Sequence, residues 1–205
     1  MSRCDNHNGH MPPRIHVIGR KNSGKTTLIV ELVEYLSSLG CRVGTIKHTH
    51  HHHELDTPGK DSHQHRQAGA VAVGILSPGM SAVFRPQLSQ EPASARYEWL
   101  AKMFSDCDLV LVEGDCHTEA PKIEVWRAIA ATEPMAARDP SILAVVTDDC
   151  PPQPLTVWPR SDVPSLADRF RALANACTNL RAAAQGDPMK RFLASVQSAD
   201  PMSSP

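Results

Sequence analysis

Eight consecutive residues carry the strongest chemical signal in the sequence. Gly19-Arg20-Lys21-Asn22-Ser23-Gly24-Lys25-Thr26 follows the pattern G-x-x-x-x-G-K-[ST], which composition alone produces in roughly one chain in a hundred of this length. Glycines at these positions let the backbone curl so that successive N–H groups point at phosphate oxygens, and a helix starting here adds partial positive charge. Lys25 is then the cation for the β- and γ-phosphates, and the Thr26 hydroxyl a ligand for Mg²⁺, which prefers oxygen donors. A second acid is expected at a neighbouring strand end. In Asp108-Leu109-Val110-Leu111-Val112-Glu113-Gly114 four apolar residues lead to Glu113, whose carboxylate is placed to bind Mg²⁺ through water or to orient an attacking water.

The other conspicuous chemistry is imidazole. The 205 residues include 11 His against only 9 aromatics, and seven of those His lie between His48 and His65. Neutral His is a common transition-metal ligand, so a metal store is one reading. Adjacent side chains in a loop converge poorly on one ion, so a polar rim loop and a nucleotide-responsive loop are the others. The segment continues as Pro58-Gly59-Lys60-Asp61-Ser62, a turn followed by a helix start. There Asp61 or Ser62 can accept helix N–H groups, and Lys60 points toward anions.

These residues need a scaffold. Pro12-Pro13 closes a polar leader, and the apolar run Ile15 to Ile18 predicts a buried strand ending at the phosphate loop. Leu28, Leu32, Leu36 and Leu39, with Ile29 and Val33, recur at helical spacing until Gly40, predicting a helix over 25–39. Cys41 to Lys47 reads as a second strand, parallel to the first because a helix joins them. A short helix over 61–69 comes next, then a strand at 71–76. Ser77-Pro78-Gly79 turns that strand into a hairpin with 81–85. Further expectations are a helix over 93–104, strands at 109–112, 123–127 and 143–147, and a final helix over 166–180. The five prolines between Pro151 and Pro164 argue against regular structure there. The alternation gives an α/β fold, a mostly parallel sheet flanked by helices of P-loop NTPase type. Its parts are a flexible leader (1–13), one domain (14–180) and a mobile tail (181–205). Parallel sheets bind ligands at the carboxyl ends of their strands, so the His-rich loop shares the rim of the phosphate loop.

Composition excludes several classes. Lys+Arg 21 against Asp+Glu 22 leaves a net charge of -1, without the basic excess of a nucleic-acid binder. No 18-residue apolar window and no signal-peptide layout occur, so no membrane partner is expected and the location is cytoplasmic. Six scattered Cys with no C-x-x-C pair suit reduced thiols in that compartment.

Taken together, GRKNSGKTT at 19–27, GTIKHTHH at 44–51, PGKDS at 58–62, RQAGA at 66–70, DLVLVEG at 108–114 and PKIEVWR at 121–127 resemble the molybdopterin-guanine dinucleotide biosynthesis protein B family, MobB. The blocks fall in order and cover roughly 14–147. The resemblance implies a GTP-binding protein with weak hydrolysis, a homodimer using its β-hairpin extension as a dimerisation element. It also implies an accessory role beside the guanylyltransferase MobA, with the loop after the second strand near the nucleotide and the pterin cofactor, molybdopterin. The nucleotide residues it implies are Gly19, Lys21, Asn22, Ser23, Gly24, Lys25, Thr26 and Thr27, with Lys47, His48, Lys60 and Asp61; Thr26 and Glu113 would hold Mg²⁺. The guanine-reading N-K-x-D element is absent. Asp148, after the strand at 143–147, either accepts from guanine N1 and N2 or caps its turn. Asp115-Cys116 stands where the family shows Phe-Lys, and His replaces an earlier acid ahead of Glu54 and Asp56. Two rival functions remain, a His-rich metallochaperone GTPase and a nucleotide-dependent scaffold that does not hydrolyse.

Overall fold

The computed structural model describes residues 11–49, 54–86 and 92–185. They form two compact units: 12–47 with 106–185, and Met11 with the described residues of 48–105.

The first unit is a six-stranded parallel sheet of β1 (Arg14–Ile18), β2 (Val43–Lys47), β5 (Leu109–Glu113), β6 (Lys122–Val125), β7 (Ile142–Val146) and β8 (Val157–Trp158). Their order is β2-β5-β1-β6-β7-β8. Near-continuous apolar runs are what a covered parallel sheet requires, and Leu109 to Val112 are all buried. The helix α1 (Lys25–Ser38) turns Leu28, Ile29, Leu32 and Leu36 inward. Its end is a Schellman motif: Cys41 N–H donates to Leu36 O at 3.0 Å and Gly40 N–H to Ser37 O at 2.9 Å, with Gly40 at φ 79°. The helix α4 (Val163–Gln185) begins where Asp162 Oδ1 accepts the Ser165 N–H at 3.1 Å. It contributes Leu166, Ala167, Phe170 and Ala174 to the same core.

As expected, β1 and β2 lie parallel in one sheet, with β5 between them. The first unit departs from expectation in two places. The proline-rich interval holds the edge strand β8, bonded through Val145 N–H to Thr156 O and Thr147 N–H to Trp158 O. Prolines are tolerated on edges, and Trp158 anchors the strand by burying its ring edge-on to Phe170, centroids 6.2 Å apart. Finally, α4 runs through Gln185; the tail expected beyond it lies, from Gly186, outside the described residues.

Polar ties fix the strand starts. Arg42 donates to Asp108 Oδ1 at 2.8 Å, aligning the entries to β2 and β5. Lys122 Nζ, buried at the start of β6, donates to Asp139 Oδ2 at 3.0 Å and to Cys116 O at 3.2 Å. The Ser141 hydroxyl and then Lys122 hold the Asp139 carboxyl at about 2, below its ordinary value of about 3.9. A depressed carboxylate stabilises the fold above its unfolded pKa and loses that contribution as pH falls through the folded value. Asp139→Asn is therefore expected to melt below wild type at pH 7, with the gap closing between about pH 4 and pH 2. Thermal melts across that range check it.

The second unit contains α2 (Asp61–Gln67), the antiparallel hairpin β3 (Val73–Leu76) and β4 (Ser81–Phe84), and α3 (Ala93–Leu100), which continues into a 3₁₀ turn, Ala101–Phe104. The helix starts at Asp61 as expected, but the capping role expected of Asp61 or Ser62 is corrected here. Lys60 occupies the cap position with no side-chain cap bond. The loop is closed from upstream instead: Asp56 Oδ1 accepts the Thr57 N–H at 2.8 Å and the Ser62 hydroxyl at 2.9 Å. Glu54 pairs with Arg66 and lies 3.7 Å from His63 Nε2. Both acids ahead of PGKDS thus fold the loop.

Candidate nucleotide site

The phosphate loop joins β1 to α1 by backbone torsions that few residue types accept. Gly19 has φ 139°, and a Cβ there would lie 2.4 Å from Val125 O on β6. Asn22 (φ 63°) and Gly24 (φ 96°) are left-handed. Gly24 precedes α1 with no side-chain cap bond, which leaves the first helical N–H groups to a ligand. The backbone therefore presents an anion cradle. Ser23 sharpens that reading, being only 4% exposed with a hydroxyl that has no hydrogen-bond partner among the described residues. Buried polar atoms normally have one, and phosphate oxygen is an acceptor suited to this place.

Lys25 Nζ reaches back across the loop to Arg20 O at 2.7 Å. Burial lowers its ammonium pKa, Glu113 opposes that shift and Lys47 adds repulsion. The Thr26 hydroxyl donates to Glu113 Oε1 at 2.9 Å, and Lys47 Nζ lies 3.8 Å from the same oxygen. These residues come from α1, β5 and β2, whose ends meet because Lys47 pairs with Glu113 and Glu113 with Val17 in register. Two oxygen donors side by side next to an anion cradle match a hard divalent cation that keeps several waters, so Thr26 and Glu113 are the residues that would hold one. Lys21 and Asn22 are exposed on the loop, and Thr27 is exposed in the first turn of α1.

Sequence reasoning missed two supports of this rim. Glu124, beside Ile18 in β6, is 1% exposed, and its carboxyl pKa is raised by burial. It accepts the Met135 N–H at 2.8 Å and the Ala136 N–H at 2.9 Å, pinning the connection to β7. A lone Glu inside the strand KIEV was the available signal. Beyond β5, Gly114 and Asp115 both have positive φ, and buried His16 Nδ1 lies 3.2 Å from Gly114 O and 4.0 Å from Asp115 Oδ2. The Asp115-Cys116 departure is thus part of a tight turn.

Asp148 follows β7 and accepts the Ser161 N–H and hydroxyl, each at 3.0 Å through Oδ1; these bonds, the backbone bond first, lower its pKa. That is the turn-capping arrangement. His48, Lys60 and Asp61 belong to the second unit. There Lys60 and Asp61 join Ser62, His65, Val73 and Ile75 in lining an open groove of about 520 Å³. Among the described residues no three His, Cys, Asp or Glu converge on a point; His50 to His53 lie outside them.

A family model described as "Molybdopterin guanine dinucleotide synthesis protein B" matches residues 14–148. The chain belongs to the MobB family. It is 34% identical over 159 residues to the molybdopterin-guanine dinucleotide biosynthesis adapter protein of Escherichia coli, covering 77% of this chain and 91% of that one. The Haemophilus influenzae adapter protein of the same name is 33% identical over 158 residues, covering 76% and 86%. The crystal structure of a MobB homologue from Bacillus stearothermophilus superposes with a TM-score of 0.57 at 27% identity, covering 78% of this chain and 98% of that one. The MobB match takes in every element of the nucleotide site from β1 to β7, so the phosphate loop, Lys47 and Glu113 all lie inside the family segment. No helix among the described residues is long and apolar enough to cross a membrane.

Proposed function

We propose that this MobB-family chain is a cytoplasmic, GTP-binding adapter in molybdopterin-guanine dinucleotide biosynthesis, acting beside the guanylyltransferase that attaches GMP to molybdopterin. The observation that carries the nucleotide part is the joint of Lys25, Thr26 and Glu113 at a loop whose Ser23 hydroxyl lacks a partner among the described residues. The adapter part follows the names of its E. coli and H. influenzae relatives.

In this reading the loop N–H groups and Ser23 bind phosphate oxygens, while Lys25 exchanges Arg20 O for the β- and γ-phosphates. Bound Mg²⁺ supplies charge neutralisation between those phosphates. Thr26 and Glu113 are the residues that would hold that ion. Turnover is slow, because Glu113, the acid that would orient water, is engaged by Thr26 and is also the carboxylate that would hold Mg²⁺. Phosphoryl transfer needs a free water-positioning group as well as cations.

A homodimer fits the second unit. A two-stranded sheet alone is marginal, and β3–β4 leaves Ile75, Leu76, Met80 and Val83 exposed. Calorimetric titration of the full chain tests the nucleotide reading. One GTP per chain is expected to bind more tightly than ATP, with affinity lost on chelating Mg²⁺. Equal binding of GTP and ATP removes the guanine assignment, and binding of neither removes the reading.

A further inference from the structure

Lys47 ends β2 on the rung that Glu113 shares with β1. Its ammonium and the Thr26 hydroxyl approach the same oxygen, Glu113 Oε1, at 3.8 and 2.9 Å. The lysine side chain is 70% exposed and the glutamate 17%, so the carboxylate is fixed while the cation can swing. Lys47 is also close enough to Lys25 to repel its charge. Two ammonium groups face one carboxylate, a local positive excess that an arriving anion relieves. Lys25 already has a partner within the phosphate loop, in Arg20 O. Lys47 approaches from a different strand, outside the loop.

A nucleoside triphosphate differs from its diphosphate by one terminal phosphoryl group and its charge. We propose that Lys47 is the residue with which this site distinguishes the two: its ammonium moves from Glu113 to an oxygen of the terminal phosphoryl group. The inference rests on the nucleotide reading above. Glu113 is also an oxygen donor that would hold the nucleotide's Mg²⁺, and a carboxylate so committed would hold Lys47 less firmly where the terminal phosphate offers a replacement. With a diphosphate no such acceptor is present, and Lys47 stays with Glu113. Because the chain passes into its second unit at His48, the terminal phosphate is registered at the junction residue.

The test is equilibrium titration of the full chain in Mg²⁺ with a non-hydrolysable GTP analogue and with GDP, using wild type, Lys47→Gln and Lys47→Arg, each checked by circular dichroism. Lys47→Gln is expected to weaken the triphosphate analogue about ten- to a hundredfold, the worth of one charge-assisted hydrogen bond, and GDP by less than about threefold. Lys47→Arg, keeping the charge, recovers much of the loss. Equal losses for both nucleotides place Lys47 with Glu113 alone and overturn the inference, as does no loss for either. Wild-type protein that binds neither nucleotide refutes the nucleotide reading and this inference with it.

Discussion

Lys25→Ala is expected to lower affinity for Mg·GTP by about a hundredfold or more, since it deletes a cation that makes two charge-assisted contacts to phosphate. The fold should survive. Burial already disfavours the Lys25 ammonium, with repulsion from Lys47 adding to that cost and Glu113 offsetting part of it. A lysine whose pKa is lowered on folding costs stability at neutral pH, so its removal is expected to leave the melting temperature equal or slightly higher. Its hydrogen bond to Arg20 O is made at the exposed loop, where water can replace it. Binding and melting curves on the same sample separate the two effects. Unchanged GTP affinity would remove the phosphate loop from any nucleotide role.

Gly19→Ala should damage both properties. At φ 139° an L side chain is strained, and its Cβ would lie 2.4 Å from Val125 O and 2.9 Å from Ser23 Oγ. The serine can rotate, but the carbonyl belongs to β6, whose neighbours are fixed by Glu124 and by pairing with β1 and β7. Backbone strain of about 1–3 kcal/mol and overpacking of similar size sum to roughly 3 kcal/mol of lost stability. The displaced loop should also bind GTP poorly. By contrast, Gly24→Ala meets no atom within 4 Å, so its cost is limited to the left-handed backbone, about 1–2 kcal/mol. Chemical denaturation of the two variants side by side measures that order.

Local chemistry makes much of this site legible in the sequence. A buried strand, a glycine-bearing loop and a leucine-faced helix are each specified within a few residues, and 14–38 folds as that pattern predicts. The run to Glu113 was equally plain, because a strand covered on both faces must be apolar throughout. Sheet order was not legible. Whether β5 or β2 neighbours β1 depends on pairings across more than sixty residues, and alternation alone leaves that open. The edge strand β8 was hidden by flanking prolines, and only the burial of Trp158 explains why two residues pair there. Glu124 was passed over because a carboxylate reads as solvent-facing, whereas two backbone N–H groups satisfy it inside the fold. The loop before α2 misled for a related reason. Asp61 and Ser62 have capping side chains, but Asp56 claims the Ser62 hydroxyl from six residues upstream.

The central claim joins two properties, nucleotide held at the phosphate loop and action as an adapter. One measurement reads both: the affinity of the purified full chain for the molybdenum cofactor guanylyltransferase, with Mg·GTP and without nucleotide, beside Lys25→Ala. The expected result is a complex whose affinity changes when Mg·GTP is added to wild type and does not change in Lys25→Ala. Absence of any complex, or a nucleotide response that persists in Lys25→Ala, would contradict it.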